Sequence, residues 1–111
     1  MTNLYGVWEF NGNGSPGYMS IYSQDAQGNL EVGVTFQDTN RVDRWTGVWN
    51  EAARQIRLTR QLPNNVTQTY IGYLGNNHPE IALIFGGSFT ESDAGNLQFG
   101  WFAKWSSTII S

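Results

Sequence analysis

The stretch LYGVWEF (residues 4–10) places Gly6 and Trp8 on one side of an extended chain, because successive strand side chains point to opposite faces. The Gly-Val-Trp triplet returns at residues 47–49, inside RVDRWTGVW (41–49). Gly100-Trp101 repeats the pairing inside LQFGWFAKW (97–105). Glycine weakens a strand unless the backbone must bend there or admit a close neighbour. The smallest residue beside the bulkiest, in strand-like segments, suits a strongly coiled sheet that closes on itself and is plugged by its own rings.

Between these segments, turn-forming clusters recur at short spacing: NGNGSP (11–16), DAQGN (25–29), QDTN (37–40), NEAAR (50–54), LPNNV (62–66), GNNHP (75–79) and ESDAGN (91–96). They divide the chain into eight strand-length segments: residues 4–10, 17–23, 30–36, 41–49, 55–62, 67–74, 80–90 and 97–105. Several alternate as half-buried strands do. Leu30, Val32, Val34 and Phe36 share one face, as do Ile56, Leu58, Arg60 and Leu62. Ile81, Leu83, Phe85, Gly87 and Phe89 form a third row, and Leu97, Phe99, Trp101, Ala103 and Trp105 a fourth. Only NEAARQI (50–56) hints at helix, and it is too short to stand alone. Tight turns between short strands impose antiparallel neighbours. The expected fold is therefore all-β, an eight-stranded antiparallel up-and-down β-barrel forming a single domain over 1–111. A two-sheet β-sandwich is the alternative. Gly33, Gly47, Gly72, Gly86, Gly87 and Gly100, all inside strands, favour the barrel.

Composition narrows the function. The chain has no cysteine, which removes disulfides, thiolate chemistry and cysteine-bound metal. Its formal net charge is −3, and five arginines and one lysine are thinly spread. Arg54, Arg57 and Arg60 do not line one strand face, so no nucleic-acid surface is expected. No apolar run is long enough to span a membrane as a helix. MTNLYGVWEF lacks the basic and apolar regions of a secretory leader. A cytoplasmic location is the expectation, with an exported mature form left open. His78, the one histidine, falls in the GNNHP turn with no second ligand for a metal, and no cofactor is expected.

With these segments in place, the chain resembles the calycin-like small barrels, the avidin/streptavidin family in particular. Gly6 and Trp8 match the Gly-x-Trp with which those proteins open their first strand. EVGVTFQD (31–38) and TYIGYLG (69–75) are similar in rhythm to later avidin strands. The resemblance implies the barrel, with the Trp8 ring closing one of its ends. It also implies departures at a biotin site. Asn11 and Ser15 lie near the first turn, Phe36 stands where a tyrosine is expected, and Arg60 and Phe85 stand where avidins carry tryptophans. An arginine at that level would clash with an apolar ligand ring, so the fold carries over and biotin binding does not.

Arg60 is the most informative single residue. Alternation points it inward with Ile56 and Leu58, and a buried guanidinium must be paired, hydrogen-bonded or stacked. It either packs over Trp8 or Trp101, with Glu9 a candidate carboxylate partner that alternation would set opposite Trp8, or anchors a polar group of a ligand. Gln68 and Tyr70 share a face of the sixth segment; Tyr18, Ser20 and Tyr22 share one of the second. A lumen lined by them would hold a ligand or an internal hydrogen-bond network. Asp43, Trp45, Gly47 and Trp49 share a face of the fourth segment that is either internal or an exterior patch between subunits. Trp8 reads as an end plug, leaving Trp49 and Trp101 as the tryptophans better placed to meet a ligand. The expected binding set is Arg60, Tyr70, Trp101, Trp49, Phe36 and Gln68, with no catalytic or metal-binding residues. The function expected is non-enzymatic binding of a small organic ligand. The alternatives are a lectin-like carbohydrate-binding module and a homo-oligomeric assembly protein with a filled barrel.

Overall fold

The computed structural model describes residues 1–39, 41–75 and 83–107, so His78 and Ile81 lie outside the described residues. Eight strands follow in chain order: β1 (Gly6–Gly12), β2 (Ser15–Gln24), β3 (Asn29–Phe36), β4 (Asp43–Asn50), β5 (Gln55–Gln61), β6 (Thr67–Leu74), β7 (Ile84–Glu91) and β8 (Phe99–Ser107). Each pairs antiparallel with the next, and β8 returns to β1 with Trp8 opposite Trp105 and Gly12 opposite Trp101. That last ladder closes the sheet into an up-and-down barrel and excludes the sandwich. NEAAR forms a tight turn rather than a helical start. Asn50 pairs with Gln55, which leaves four residues to reverse the chain, and Arg54 takes a φ of 52° to do so.

Alternation sets what enters the lumen. On β1, Trp8 and Phe10 turn inward and Glu9 outward; on β2, Met19 and Ile21 turn inward. Tyr18, Ser20 and Tyr22 consequently sit on the outer wall and do not line the lumen, contrary to the sequence expectation. On β4, Trp45 and Trp49 are both 2% exposed, so this face is internal and no exterior tryptophan patch exists there. Leu97 precedes β8 and is exposed, while Trp101 and Ala103 continue the inward row.

The rings stack into one column along the barrel axis. Trp8 and Trp49 meet Phe85 at 5.0 and 5.8 Å between centroids, and Phe85 meets Trp101 at 6.3 Å. Above them Phe10 and Tyr70 contact Trp101, each at 5.8 Å, and Tyr70 stacks between Trp45 and Phe89 at 4.6 and 4.4 Å. Such pairs add about 0.5–1.5 kcal/mol each beyond the area they bury. Two glycines admit the widest ring. In the order β8, β7, β6, Trp101 pairs with Gly87 and Gly87 with Gly72. The indole lies across β7 onto Gly72, where a methyl group would collide with it, and its Nε1 donates to the Ile71 carbonyl at 3.2 Å.

One end of the barrel is sealed by residues 2–4. Leu4 is fully buried, and its carbonyl accepts the Trp8 Nε1–H at 3.1 Å. Its own N–H donates to Gln24 Oε1, while Gln24 Nε2 donates to the Thr2 carbonyl, both at 2.8 Å. Glu51, in the β4–β5 turn, accepts from the Thr2 N–H at 2.6 Å, the Thr2 hydroxyl at 2.8 Å and the Trp49 Nε1–H at 2.7 Å. These donors, the Thr2 amide foremost, hold its carboxyl at about 2, well below the ordinary 4.5.

Two expectations follow from this packing. At Gly87 an added methyl would strike the Ile71 carbonyl oxygen of the neighbouring strand, whereas at Gly100 it would meet open space. In urea denaturation Gly87→Ala should cost about 2 kcal/mol or more and Gly100→Ala about 0.5 kcal/mol or less. Because the Glu51 carboxyl is depressed in the folded state, its stabilisation is complete above the ordinary carboxylate value and drains as pH falls toward 2. Thermal melts of Glu51→Gln should therefore show a flatter loss of stability between about pH 5 and 2 than the parent protein.

Candidate functional site

The opposite end, bounded by the β1–β2, β3–β4, β5–β6 and β7–β8 connections, is the only part of the described lumen where charged side chains converge. Asp43 on β4, Arg60 on β5 and Glu91 on β7, with the neutral amide of Gln68 on β6, form a polar row across four successive strands. Register brings the last three level, with Arg60 opposite Gln68 and Gln68 opposite Glu91. Arg60 Nη2 donates to Asp43 Oδ2 at 2.7 Å, and Nη1 donates to Gln68 Oε1 at 3.2 Å. Gln68 Nε2 donates to Glu91 Oε1, and the Tyr70 hydroxyl donates upward to Gln68 Oε1 at 2.9 Å. The Gln68 amide is thus held in one orientation by all three neighbours.

The row is set in aromatic walls. The Arg60 guanidinium lies 5.1 Å from the Phe36 ring centre and 5.6 Å from that of Trp45, so its charge is met by two π faces as well as a carboxylate. The side chains of Arg60 and Asp43 are 20% and 32% exposed, open enough to meet solvent. Among the described residues the guanidinium is held through Nη1 by Gln68 and through Nη2 by Asp43. Trp45 Nε1, buried just beneath, finds no acceptor among the described residues. Burial pushes the Tyr70 phenol up to about 12, and the nearby Arg60 charge only partly offsets this.

Of the six residues expected to bind, Arg60, Gln68, Tyr70 and Phe36 come together here. Trp101 lies one layer deeper, in edge contact with Tyr70, and Trp49 sits at the sealed end against Phe85 and Glu51. The partners expected for Arg60 are corrected. Its carboxylate is Asp43 rather than Glu9, which faces outward, and its aromatic neighbours are Phe36 and Trp45 rather than Trp8 or Trp101. Asp43 and Glu91 were legible as candidates only through the period-two rows Asp43-Trp45-Gly47-Trp49 and Phe85-Gly87-Phe89-Glu91, once each row is known to face inward.

Comparison of the chain with family models, with curated proteins and with solved structures finds no match. At the coarse level, the eight-stranded antiparallel barrel is compatible with a calycin-like fold.

The raised Tyr70 value favours the neutral phenol in the folded state, so its stabilisation holds below the ordinary value of 10 and is lost as pH rises through 12. An ultraviolet titration should show a phenolate step near pH 12 that Tyr70→Phe abolishes. A titration that is complete before that step appears would contradict the burial of this hydroxyl.

Proposed function

We propose that the protein is a non-enzymatic binding module that holds a small organic ligand at the mouth, over the Asp43–Arg60–Gln68–Glu91 row. One observation carries this reading: a half-buried ionic row occupies a place where apolar side chains would pack as well. Burying charges in such a setting gains little stability over hydrophobic residues of similar volume. A row kept open to solvent and fully oriented is suited to reading polar groups of a ligand.

The ligand would rest its ring or chain on Phe36 and the half-buried Phe99, and offer an acceptor atom to the solvent-facing side of the Arg60 guanidinium. It would stay shallow, because Tyr70, Trp45 and Phe10 fill the layer below. Two of the groups in this site favour holding over reacting. Arginine does not release its proton in proteins, and Tyr70 keeps its own until about pH 12. The opening Gly6 and Trp8 and the strand order support an avidin-like plan in which the biotin-type polar set is replaced by this row.

Native mass spectrometry of gently purified protein, before and after denaturation, tests the proposal. We expect a small mass to be carried by the parent chain and lost from Arg60→Gln. A bare mass for both, together with no shift of the Asp43, Arg60, Gln68 and Glu91 amides when a fragment library is titrated into 15N-labelled protein, would overturn it.

A further inference from the structure

The outer wall holds a second polar–aromatic arrangement, independent of the mouth. Because Trp8 and Phe10 enter the lumen, Glu9 and Asn11 face outward along β1. Glu9 pairs with Tyr18 on β2, and Asn11 pairs with Phe102 on β8. Tyr18 and Phe102 are 54% and 50% exposed and flank β1 from either side, one outward position apart. Two strand spacings across and two residues along set their backbones about 12 Å apart on the diagonal. Between them runs a groove of about 280 Å³, lined by Glu9, Asn11, Tyr18, Gln37 and Phe102.

Single exposed rings are ordinary on a protein surface. Here two rings border one groove whose floor supplies both hydrogen-bonding polarities. The Glu9 carboxylate makes no ion pair among the described residues, although Lys104 faces it in register. It can only accept. Asn11 Oδ1 is occupied by the Gly14 N–H at 2.8 Å, which leaves its Nδ2 to donate. The Gln37 amide can do both. Hydroxyl groups on adjacent ring carbons need such alternating donors and acceptors, and the C–H faces of a sugar ring pack on the negative faces of aromatic rings.

From this we infer that the groove is a carbohydrate site for a neutral saccharide of two or more units. One sugar ring lies against Tyr18 and the next against Phe102, and the hydroxyls between them bond Glu9, Asn11 and Gln37. A second copy of the chain fits the groove less well. A two-fold axis through it would bring two Glu9 carboxylates together in a desolvated contact.

The test titrates cellobiose, maltose, lactose and chitobiose into 15N-labelled protein, in parallel with Tyr18→Ala, Phe102→Ala and Tyr73→Ala. Tyr73 is an exposed ring on β6, outside the groove, and serves as the control. We expect at least one disaccharide to shift the Glu9, Asn11, Tyr18 and Phe102 amides. Each groove variant should weaken that binding about tenfold, as loss of an aromatic anchor does, while Tyr73→Ala leaves it unchanged. Shifts centred on Arg60, Gln68 and Glu91 would make sugar a ligand of the mouth and overturn the groove. Silence with all four sugars would overturn it too, as would a dimer that the Tyr18 and Phe102 variants dissociate.

Discussion

The contact on which the barrel most depends is the Trp101 indole laid across β7 onto Gly72. A ring of that size, directed inward from β8, has to lie flat against neighbouring strands, and it can do so only where those strands carry no side chain. Gly87 and Gly72 stand level with Trp101 in consecutive strands, and the indole N–H is satisfied by the Ile71 carbonyl beyond them. The glycines thus let β6, β7 and β8 approach one another around an aromatic that would otherwise hold them apart. With those strands drawn in, β8 reaches β1 and the sheet has no free edge.

An aromatic column this continuous decides where polar chemistry can reside. From Trp8 to Tyr70 the rings leave charged groups no place in the described lumen, and the two ends solve the resulting problem differently. At one end Leu4 fills the opening, while Gln24 and Glu51 satisfy the N–H groups around it. At the other, the last layer stays partly open among the described residues, and the outermost inward position of four strands is polar. Arg60 is tolerated there because Asp43 opposes its charge, Gln68 accepts from it and two rings face it. This outermost layer is polar yet ordered, each side chain of the row being bonded to at least one other.

Much of this was legible from local pattern. Turn residues and period-two rows placed all eight strands, because both are properties of neighbouring residues. In the third and fifth strands the inward face was evident from Leu30, Val32 and Val34 and from Ile56 and Leu58. What alternation cannot supply is direction when both faces are plausible. Trp45 and Trp49 alternate with Thr46 and Val48, and only closure of the sheet shows that the tryptophans face in. The same ambiguity covers Tyr18 and Tyr22, and it is Met19 and Ile21 between them that take the lumen face. The partner of Arg60 was out of reach because it depends on cross-strand geometry: Asp43 lies 17 residues away, on an adjacent strand whose facing was open. The outer groove, likewise, arises from three strands brought side by side, two of them from opposite ends of the chain.

The most direct measurement is hydrogen exchange of the indole N–H groups in protein labelled at tryptophan. Trp8, bonded to Leu4, and Trp49, bonded to Glu51, lie behind the sealed end, whereas Trp45 lies directly under Arg60 with no acceptor of its own among the described residues. If one end is sealed and the other is a binding mouth, Trp45 should exchange well before Trp8 and Trp49. Exchange of Trp8 as fast as that of Trp45 would mean that the barrel opens at the wrong end, and the division of the molecule into a plug and a mouth would be contradicted.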